Sequence, residues 1–259
     1  MRRLVHLSDL HFGRSQKEVT EAVLREVSEL KPDLVIISGD LTQRARSLEF
    51  VEAAKFLGQL PGRVLVVPGN HDIPLYHLPL RLFQPLRGYK RYIEGAREPT
   101  YEDSEIVVAG INTVTRWRWK EGRLRGRQLR HLDSVFSKGS TDHVRLVFMH
   151  HPPMGHLQDV TTAFANRPDL VLSGHLHLSG AVIHQSGAIL VAAGTAVSTR
   201  TRQDHANSFN VIDVNASPGR AKVRINVVAW NGTKFDPLRE QTFERVDRCW
   251  RESPTEPSQ

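Results

Sequence analysis

Five short apolar runs, each followed by polar residues, dominate the first 177 residues of the chain. The runs read LVHLS, DLVIIS, RVLVVP, VRLVFM and DLVLS, and they end immediately before residues 9, 39, 69, 150 and 174. They are rich in β-branched residues and continuously apolar rather than alternating, which is the pattern of strands buried on both faces. We therefore predict five buried strands in this part of the chain.

Apolar residues at helical spacing lie between the early strands. Such spacing occurs within residues 16–30 and 47–60, where Ser47 is the predicted N-cap, and a further helix is predicted near 126–137. The order is strand, helix, strand, helix, strand. This order predicts parallel strand pairs joined by right-handed crossovers.

The character of the chain changes after residue 177, where short strand-like stretches follow one another with little helix. They cover residues 180–184, 188–193, 208–214, 221–229 and a stretch near 240–246. We expect them to form a meander beside the first sheet. The predicted fold class is α/β: a layered αββα sandwich of two mixed β-sheets flanked by helices. The predicted organisation is one domain over residues 1–247, with a flexible C-terminal tail at 248–259.

Composition narrows the class of protein. Cys249 is the only cysteine, so an internal disulfide cannot form. No apolar run reaches the roughly 18 residues of a membrane span, and Asp9 and His11 interrupt the N-terminal apolar stretch too early for a signal peptide. We therefore expect a cytoplasmic protein.

The net charge of +7 comes mostly from one segment. Residues 116–130 hold seven basic residues and one acidic residue, with Trp117 and Trp119 between the arginines. The rest of the chain is nearly neutral, unlike a protein coated in positive charge to hold a long duplex. The segment is either a solvated loop and helix face, or a site for a nucleotide, a nucleic-acid strand or an anionic lipid headgroup.

The polar residues after the five runs have the chemistry of metal ligands. Ligand-binding residues gather beyond the carboxyl ends of strands in open α/β sheets. The D-x-H and H-x-H pairs would point to one side of an extended backbone. Carboxylate, amide and imidazole together suit manganese, iron, zinc or cobalt, whereas calcium prefers oxygen alone and structural zinc prefers thiolates. Gly39, Gly69 and Gly174 fit sharp turns beside them. The candidate ligands are Asp9, His11, Asp40, Asn70, His150, His175 and His177.

The order of these motifs resembles a known family. D-x-H, G-D, G-N-H-D, H-x-P and G-H-x-H occur in this order over residues 9–177 and resemble the calcineurin-like metallophosphoesterase superfamily. The stretches HLSDLHFG, GDLTQ and VFMHHPP are especially similar to the bacterial group that contains class III cyclic nucleotide phosphodiesterases. The resemblance is weakest after about residue 200.

The resemblance implies a dinuclear centre of two divalent ions, manganese or iron first, with zinc or cobalt as alternatives. Asp9, His11 and His177 would hold one metal, Asn70, His150 and His175 the other, and Asp40 would bridge them. His150 is preferred over His151 because the family places its ligand two residues before a proline, here Pro152. His71 would contact the scissile phosphate or protonate the leaving oxygen. Asp72 would orient His71 or shape the turn around it.

The resemblance also implies hydrolysis of a phosphate ester by a metal-bridging hydroxide. The favoured substrate is a small phosphodiester, with a cyclic nucleotide first. A lipid-linked pyrophosphate hydrolase and a metal-dependent nuclease remain alternatives, and a non-catalytic partner-binding member would be expected to have broken motifs. Nucleic acid is disfavoured as a partner. Peripheral membrane contact and a homodimer through the C-terminal strands stay open.

Overall fold

A computed structural model of the chain describes residues 1–93, 95, 97–117, 121–152, 167–201, 205–246 and 249–253. The helices of this part are α1 (Lys17–Leu30), α2 (Ser47–Leu57), α3 (Leu78–Phe83), α4 (Arg87–Tyr92) and α5 (Gly126–Phe136), with a 3-10 turn at Asn70–Asp72. The strands are β1 (Arg2–Leu7), β2 (Leu34–Ile37), β3 (Arg63–Val66), β4 (Thr100–Glu102), β5 (Ile106–Ile111), β6 (Val144–Met149), β7 (Leu170–Ser173), β8 (Gly180–Ile183), β9 (Ile189–Ala192), β10 (Ser208–Ser217), β11 (Arg220–Trp230), β12 (Phe235–Val246) and β13 (Cys249–Ser253).

Two mixed sheets form the centre of the molecule. The first sheet has the order β13-β12-β11-β10-β1-β2-β3, and the second has the order β4-β5-β6-β7-β9-β8. β1, β2 and β3 are parallel, and so are β5, β6, β7 and β9. The five predicted strands are all present. The parallel pairing and the two mixed sheets confirm the predicted fold class.

Three apolar layers explain why the strand sequences are continuously apolar. Along β2, Leu34 and Ile36 point into the core between the two sheets, whereas Val35 and Ile37 pack against helices on the outer side of the first sheet. A third cluster lies between the second sheet and α5, which contributes Leu132. Each inner strand thus buries both faces, and the layering is helix, sheet, sheet, helix.

Two predicted helices occur where expected, with one local difference. α1 buries Val19, Val23 and Val27 at helical spacing. α2 begins one residue earlier than predicted, since Arg46 takes the N-cap position and Ser47 is its first helical residue. The prediction of Ser47 as the N-cap is therefore wrong. The Glu49 side chain accepts hydrogen bonds from the backbone N–H groups of Arg44 and Arg46, and this caps the helix.

The late strands differ from the prediction in their sheet. β10, β11 and β12 form a meander as predicted, and it extends the first sheet, but β8 and β9 belong to the second sheet. The predicted tail is also wrong for Cys249–Ser253, which pairs with β12 as the edge strand β13 and buries Trp250. Residues 254–259 lie outside the described residues. No helix in the described part of the chain is long and apolar enough to cross a bilayer.

Candidate metal centre

The seven candidate ligands lie at the carboxyl ends of strands from both sheets. Asp9, Asp40 and Asn70 follow β1, β2 and β3, while His150 and His175 follow β6 and β7. Backbone hydrogen bonds join the loops, with Asp9 N–H donating to the Gly39 carbonyl at 3.1 Å and His11 N–H to the Asp40 carbonyl at 3.0 Å. Parallel strands therefore bring the motifs to one edge of each sheet, as the sequence predicted.

The local backbone of these loops is left-handed rather than extended. Seven non-glycine residues of the described part have positive φ, and five of them are candidate ligands. These five are Asp9, His11, Asp40, His175 and His177, with φ of 52°, 46°, 53°, 69° and 58°. The prediction that the D-x-H and H-x-H pairs share a side of an extended strand is wrong. Both members of each pair instead adopt the left-handed conformation, which is costly for residues other than glycine.

Glycines allow these loops to touch. A Cβ atom on Gly39 would lie 2.7 Å from the backbone nitrogen of Gly69, and Gly39 has φ of +89°. A Cβ on Gly69 would collide with the Asp40 carboxylate and one on Gly174 with Ser8. Gly39 thus serves a turn as predicted, whereas Gly69 and Gly174 are required by close approach rather than by a left-handed turn.

Two groups of donor atoms converge in the site. In the first, Asp9 Oδ1 lies 3.6 Å from His11 Nε2 and 3.2 Å from His177 Nε2. In the second, Asn70 Oδ1 lies 3.0 Å from His150 Nε2 and 3.1 Å from His175 Nδ1. These are the two ligand groups that the sequence motifs imply.

Asp40 lies between the two groups. Its Oδ2 atom is 3.3 Å from His150 Nε2 and 3.7 Å from His11 Nε2. Asp40 also fixes the next motif, because its Oδ1 accepts a hydrogen bond from the backbone N–H of His71 at 2.8 Å. One carboxylate thus faces both donor groups, which is the position expected of a bridging ligand.

The donor atoms fit divalent cations. Asp9 Oδ1 and His11 Nε2 are buried and have no hydrogen-bond partner among the described residues. His150 donates its Nδ1–H to the Ser38 carbonyl at 2.8 Å, which leaves its Nε2 directed at Asn70 and Asp40. Buried polar atoms without partners are costly, and a ligand histidine commonly donates its other N–H to a carbonyl. Among the described residues, four groups of three place their ligand atoms within 4.8 Å of one another. They are Asp9, His11 and His177; Asp9, Asp40 and His150; His11, Asp40 and His71; and His150, His151 and His175.

The charges of the site are strongly coupled. Burial alone would raise the pKa of Asp40, but His150 and His11 outweigh it and hold that pKa well below its usual range. Burial alone would lower the pKa of His150, and Asp40 instead raises it to about 9. A proton therefore remains on this pair until a metal displaces it, so metal binding releases protons.

His151 occupies the wall of the second donor group. Its Nδ1 lies 2.8 Å from Thr113 Oγ1, and its ring centroid is 4.7 Å from that of His175. His150, in contrast, directs Nε2 at both Asn70 and Asp40. These contacts support His150 as the ligand, and the choice between the two histidines stays a prediction.

His71 contacts a residue that the sequence motifs do not include. Its Nδ1–H donates to the Gln43 carbonyl at 2.8 Å, and its Nε2 accepts from Arg200 Nη1 at 2.9 Å. The Arg200 carbonyl accepts a hydrogen bond from His177 Nδ1. Arg200 thus joins a candidate ligand to the candidate catalytic histidine. It lies where the resemblance to the family fades, and its only signal in the sequence is an arginine in the segment STRTR after the last motif.

Asp72 is buried beneath the loops rather than beside the histidine ring. Its carboxylate accepts from the backbone N–H groups of Leu41, Thr42 and Gly69 at 3.2, 2.9 and 2.8 Å. Burial, followed by repulsion from Asp40, raises the pKa of Asp72 to about 6. Of the two roles predicted for Asp72, these contacts support shaping the turn.

Comparison with known proteins bears on the chemistry of this centre. A family model described as calcineurin-like phosphoesterase matches residues 2–179. A glycerophosphodiester phosphodiesterase of Enterobacter lignolyticus is 31% identical over 172 residues, which cover 58% of this chain and 57% of that protein. A protein described as a probable cyclic nucleotide phosphodiesterase of Synechococcus is 26% identical over 170 residues, covering 60% of this chain and 62% of that one. The chain thus spans about three fifths of the length of these relatives.

Solved structures show the same architecture. A dimetal phosphatase from Danio rerio superposes with a TM-score of 0.63 at 14% identity, covering 93% of this chain and 98% of that one. At this identity the likeness concerns the fold alone. It agrees with two mixed sheets flanked by helices.

Proposed function

Because the chain belongs to the calcineurin-like phosphoesterase family, a family of metal-dependent phosphoric ester hydrolases, we propose that it hydrolyses a small phosphodiester at a two-metal centre. A cyclic nucleotide is the favoured substrate. The cations are divalent, with manganese or iron first and zinc or cobalt as alternatives. Part of this chain is similar to phosphodiesterases, and we propose the same class of activity for the whole protein.

The position of Asp40 carries this proposal. Its Oδ2 lies within 4 Å of a nitrogen from each donor group, at 3.3 Å from His150 and 3.7 Å from His11. Each side also has a buried oxygen of its own, on Asp9 and on Asn70. A single mononuclear site would not need a shared carboxylate between two complete sets of donors.

The residues of the chain would divide the work as follows. Asp9, His11 and His177 would hold one cation, Asn70, His150 and His175 would hold the other, and Asp40 would contribute to both. Bound divalent cations would supply Lewis-acid activation of water and neutralisation of the phosphate charge. The side chains themselves would orient the phosphate and exclude bulk water, since the Asp9, His11 and His150 side chains are fully buried.

His71 is suited to a different role from proton donation. Burial lowers the pKa of His71 to about 4, so the ring is neutral at neutral pH. Its Nδ1–H is used by the Gln43 carbonyl, and its Nε2 accepts from Arg200. Of the two roles that the resemblance implies for His71, we retain contact with the phosphate. We assign this contact to His71 and Arg200 together: His71 positions the guanidinium of Arg200, and Arg200 donates its N–H groups to the phosphate.

A hydrolysis screen tests the proposed function. Manganese-loaded protein would be compared on bis(p-nitrophenyl) phosphate, p-nitrophenyl phosphate, cyclic AMP and 2′,3′-cyclic nucleotides, with a chelator control. We expect chelator-sensitive turnover of the diester well above that of the monoester, and turnover of at least one cyclic nucleotide. Equal turnover of monoester and diester, or none with both metals bound, would contradict the proposed substrate class.

A lipid-linked pyrophosphate is the second candidate substrate. It is favoured by the exposed Tyr76 side chain, whose ring centroid lies 5.4 Å from the guanidinium of Arg44, the residue after Gln43. A diacyl lipid pyrophosphate in mixed micelles would therefore be included in the screen. Faster turnover of this substrate than of every cyclic nucleotide would favour the second candidate over the first.

A further inference from the structure

Four large apolar side chains are exposed on two segments that hydrogen bonds join, residues 76–83 and residues 116–117. Tyr76, Leu78, Phe83 and Trp117 are 77%, 62%, 81% and 75% exposed, and we call them the apolar rim. Scattered exposed apolar residues are ordinary in proteins, but a contiguous group marks a surface that binds something.

Hydrogen bonds hold the members of the apolar rim together. Arg116 donates from Nη1 to the Leu82 carbonyl at 2.8 Å, and Arg81 donates from Nε to the Arg116 carbonyl at 2.9 Å. The segment that carries Trp117 is thereby fixed to α3, which carries Leu78 and Phe83. The Arg116 guanidinium also lies 5.7 Å from the Trp117 ring centroid.

α3 buries a charged side chain and exposes apolar ones, which is the reverse of an ordinary surface helix. It buries its only charged residue, Arg81, which is 7% exposed and donates to the Pro74 carbonyl as well as to Arg116. Leu78 and Phe83 at its two ends face outward. An amphipathic helix on a globular surface would place these residues the other way. The buried hydrogen bonds of Arg81 therefore hold the apolar side chains in solvent.

One member of the apolar rim, Tyr76, lies near the loop that contacts His71. Tyr76 follows Asp72 by four residues, and the Arg44 guanidinium lies 5.4 Å from the Tyr76 ring centroid. Gln43, the residue before Arg44, accepts the hydrogen bond from His71. The Tyr76 end of the apolar rim is therefore the end nearest to His71.

The segments that carry the apolar rim are rich in basic residues. Residues 73–93 contain four basic residues and no acidic one, and Arg87, Lys90 and Arg91 of α4 are exposed. The described part of the basic segment adds Arg116, Arg123, Arg125, Arg127 and Arg130. Burial, then the guanidiniums of Arg127 and, more weakly, Arg123 and Arg116, lower the pKa of Arg125, as expected where arginines are close together.

We propose that the apolar rim, with the basic residues around it, docks on the surface of an anionic phospholipid bilayer. Tyr and Trp prefer the headgroup region, Leu and Phe prefer the acyl boundary, and arginine attracts anionic headgroups. Single-stranded nucleic acid also binds arginine and aromatic rings, but Leu78 has no ring on which a base could stack. The mixture of aliphatic, aromatic and basic residues therefore favours a membrane. This inference concerns a surface and does not rest on the proposed substrate.

Vesicle binding of the full chain tests the proposal. We expect the protein to sediment with vesicles of phosphatidylcholine and phosphatidylglycerol, and weakly with phosphatidylcholine alone. The double variant Leu78→Ser/Phe83→Ser should weaken binding by about tenfold or more. The variant Arg87→Gln/Arg91→Gln should weaken it by about fivefold per arginine and reduce its salt dependence. The matched control Val182→Ser/Leu238→Ser, which changes two other exposed apolar residues on β8 and β12, should bind as the parent does.

Three outcomes would overturn the proposal. The first is the absence of binding to anionic vesicles at low salt. The second is equal vesicle binding by the rim variant and the control variant. The third is a rim variant that binds vesicles normally and is impaired only in binding a single-stranded oligonucleotide or in self-association. The two proposals can fail separately. Vesicle binding without phosphodiester turnover would contradict the proposed function, whereas turnover without vesicle binding would contradict the membrane surface.

Discussion

At the scale of single residues, the metal centre is built on backbone that most side chains avoid. Asp9, His11, Asp40, His175 and His177 all have positive φ. Each such residue costs on the order of 1–3 kcal/mol, a cost that surrounding contacts must offset. The hydrogen bond from Asp9 N–H to Gly39 and that from His175 N–H to Asp9 Oδ2 at 3.0 Å are among those contacts. Metal binding would add to them.

The substitution Asn70→Ala tests one half of the centre. It removes the oxygen that lies within 3.1 Å of both His150 and His175. We expect the metal affinity of one of the two sites to fall by roughly tenfold or more. Loss of a residue that only supports a metal ligand already lowers affinity by that factor. Metal content by mass spectrometry and kcat on a diester would be measured, with exposed Asn215→Ala as the control. Full metal content with parental kcat would contradict the assignment.

Arg200 tests the binding of phosphate independently of the metals. Replacing its guanidinium in Arg200→Gln should weaken inhibition by inorganic phosphate by about tenfold to a hundredfold, the range of a hydrogen bond to a charged group. Metal content should not change, because the backbone carbonyl that His177 contacts is retained. Arg200→Lys should recover part of the affinity, and exposed Arg220→Gln serves as the control. Parental phosphate inhibition in Arg200→Gln would refute the role.

Residue identities at the centre could be predicted, but their geometry could not. The motifs identify the ligand positions because the spacing of residues within one loop can be read directly from the sequence. The left-handed backbone of His11 and His177 was not predicted, because histidine is enriched at positive φ but still adopts it in only a small fraction of cases. Arg200 was not predicted because it lies 129 residues from His71 in the sequence and belongs to no motif.

At the scale of elements, one carboxylate joins three strands of the first sheet. Asp213 on β10 is directly opposite Arg3 on β1 and Arg224 on β11. It accepts from Arg3 Nε at 2.8 Å and from Arg224 Nη2 at 2.8 Å. Burial opposes its ionisation, but these hydrogen bonds outweigh burial and hold the pKa of Asp213 below its usual range. The meander is thereby joined to the strand that leads to Asp9.

Asp213→Asn should lower the free energy of unfolding by about 1–3 kcal/mol at neutral pH. A carboxyl whose folded pKa is depressed stabilises the fold above its unfolded pKa of about 4 and loses that effect as pH falls through the folded pKa. The gap between parent and variant in denaturant titrations should therefore close below about pH 4. Asp236→Asn, at an exposed ion pair with Lys234, should change little. A gap that persists at low pH would mean that charge is not the cause.

Elements with a repeating pattern were predictable, and short elements were not. α1 follows from valines at helical spacing, and β2 from a continuous apolar run. α3 contains Pro79 and its outward residues are apolar, so its pattern gives no face to bury. β13 carries mostly polar residues and forms because β12 offers an open edge, which only the assembled sheet shows.

At the scale of the whole molecule, the metal centre exists only when the two sheets are docked. The first sheet supplies Asp9, His11, Asp40 and Asn70, and the second supplies His150, His175 and His177. The apolar cluster between the sheets, with Leu34 and Leu146 among its members, holds these two sets in register. Metal binding should therefore stabilise the folded protein as well as activate it.

The layered architecture could be predicted because strand order and burial follow from local patterns. The assignment of β8 and β9 to the second sheet could not, since it depends on the pairing of β7 with β9 across a hairpin. Location in the cytoplasm, a homodimer and the organisation as a single domain stay predictions.

Electron paramagnetic resonance of the manganese-loaded protein, with metal content measured on the same sample, is the decisive test of a bridged dinuclear centre. We expect two Mn²⁺ per chain with an exchange-coupled spectrum, because Asp40 faces both donor groups. In Asp40→Asn the coupled signal should be lost. One Mn²⁺ per chain, or two with the spectrum of isolated ions in the parent protein, would contradict a bridged dinuclear centre.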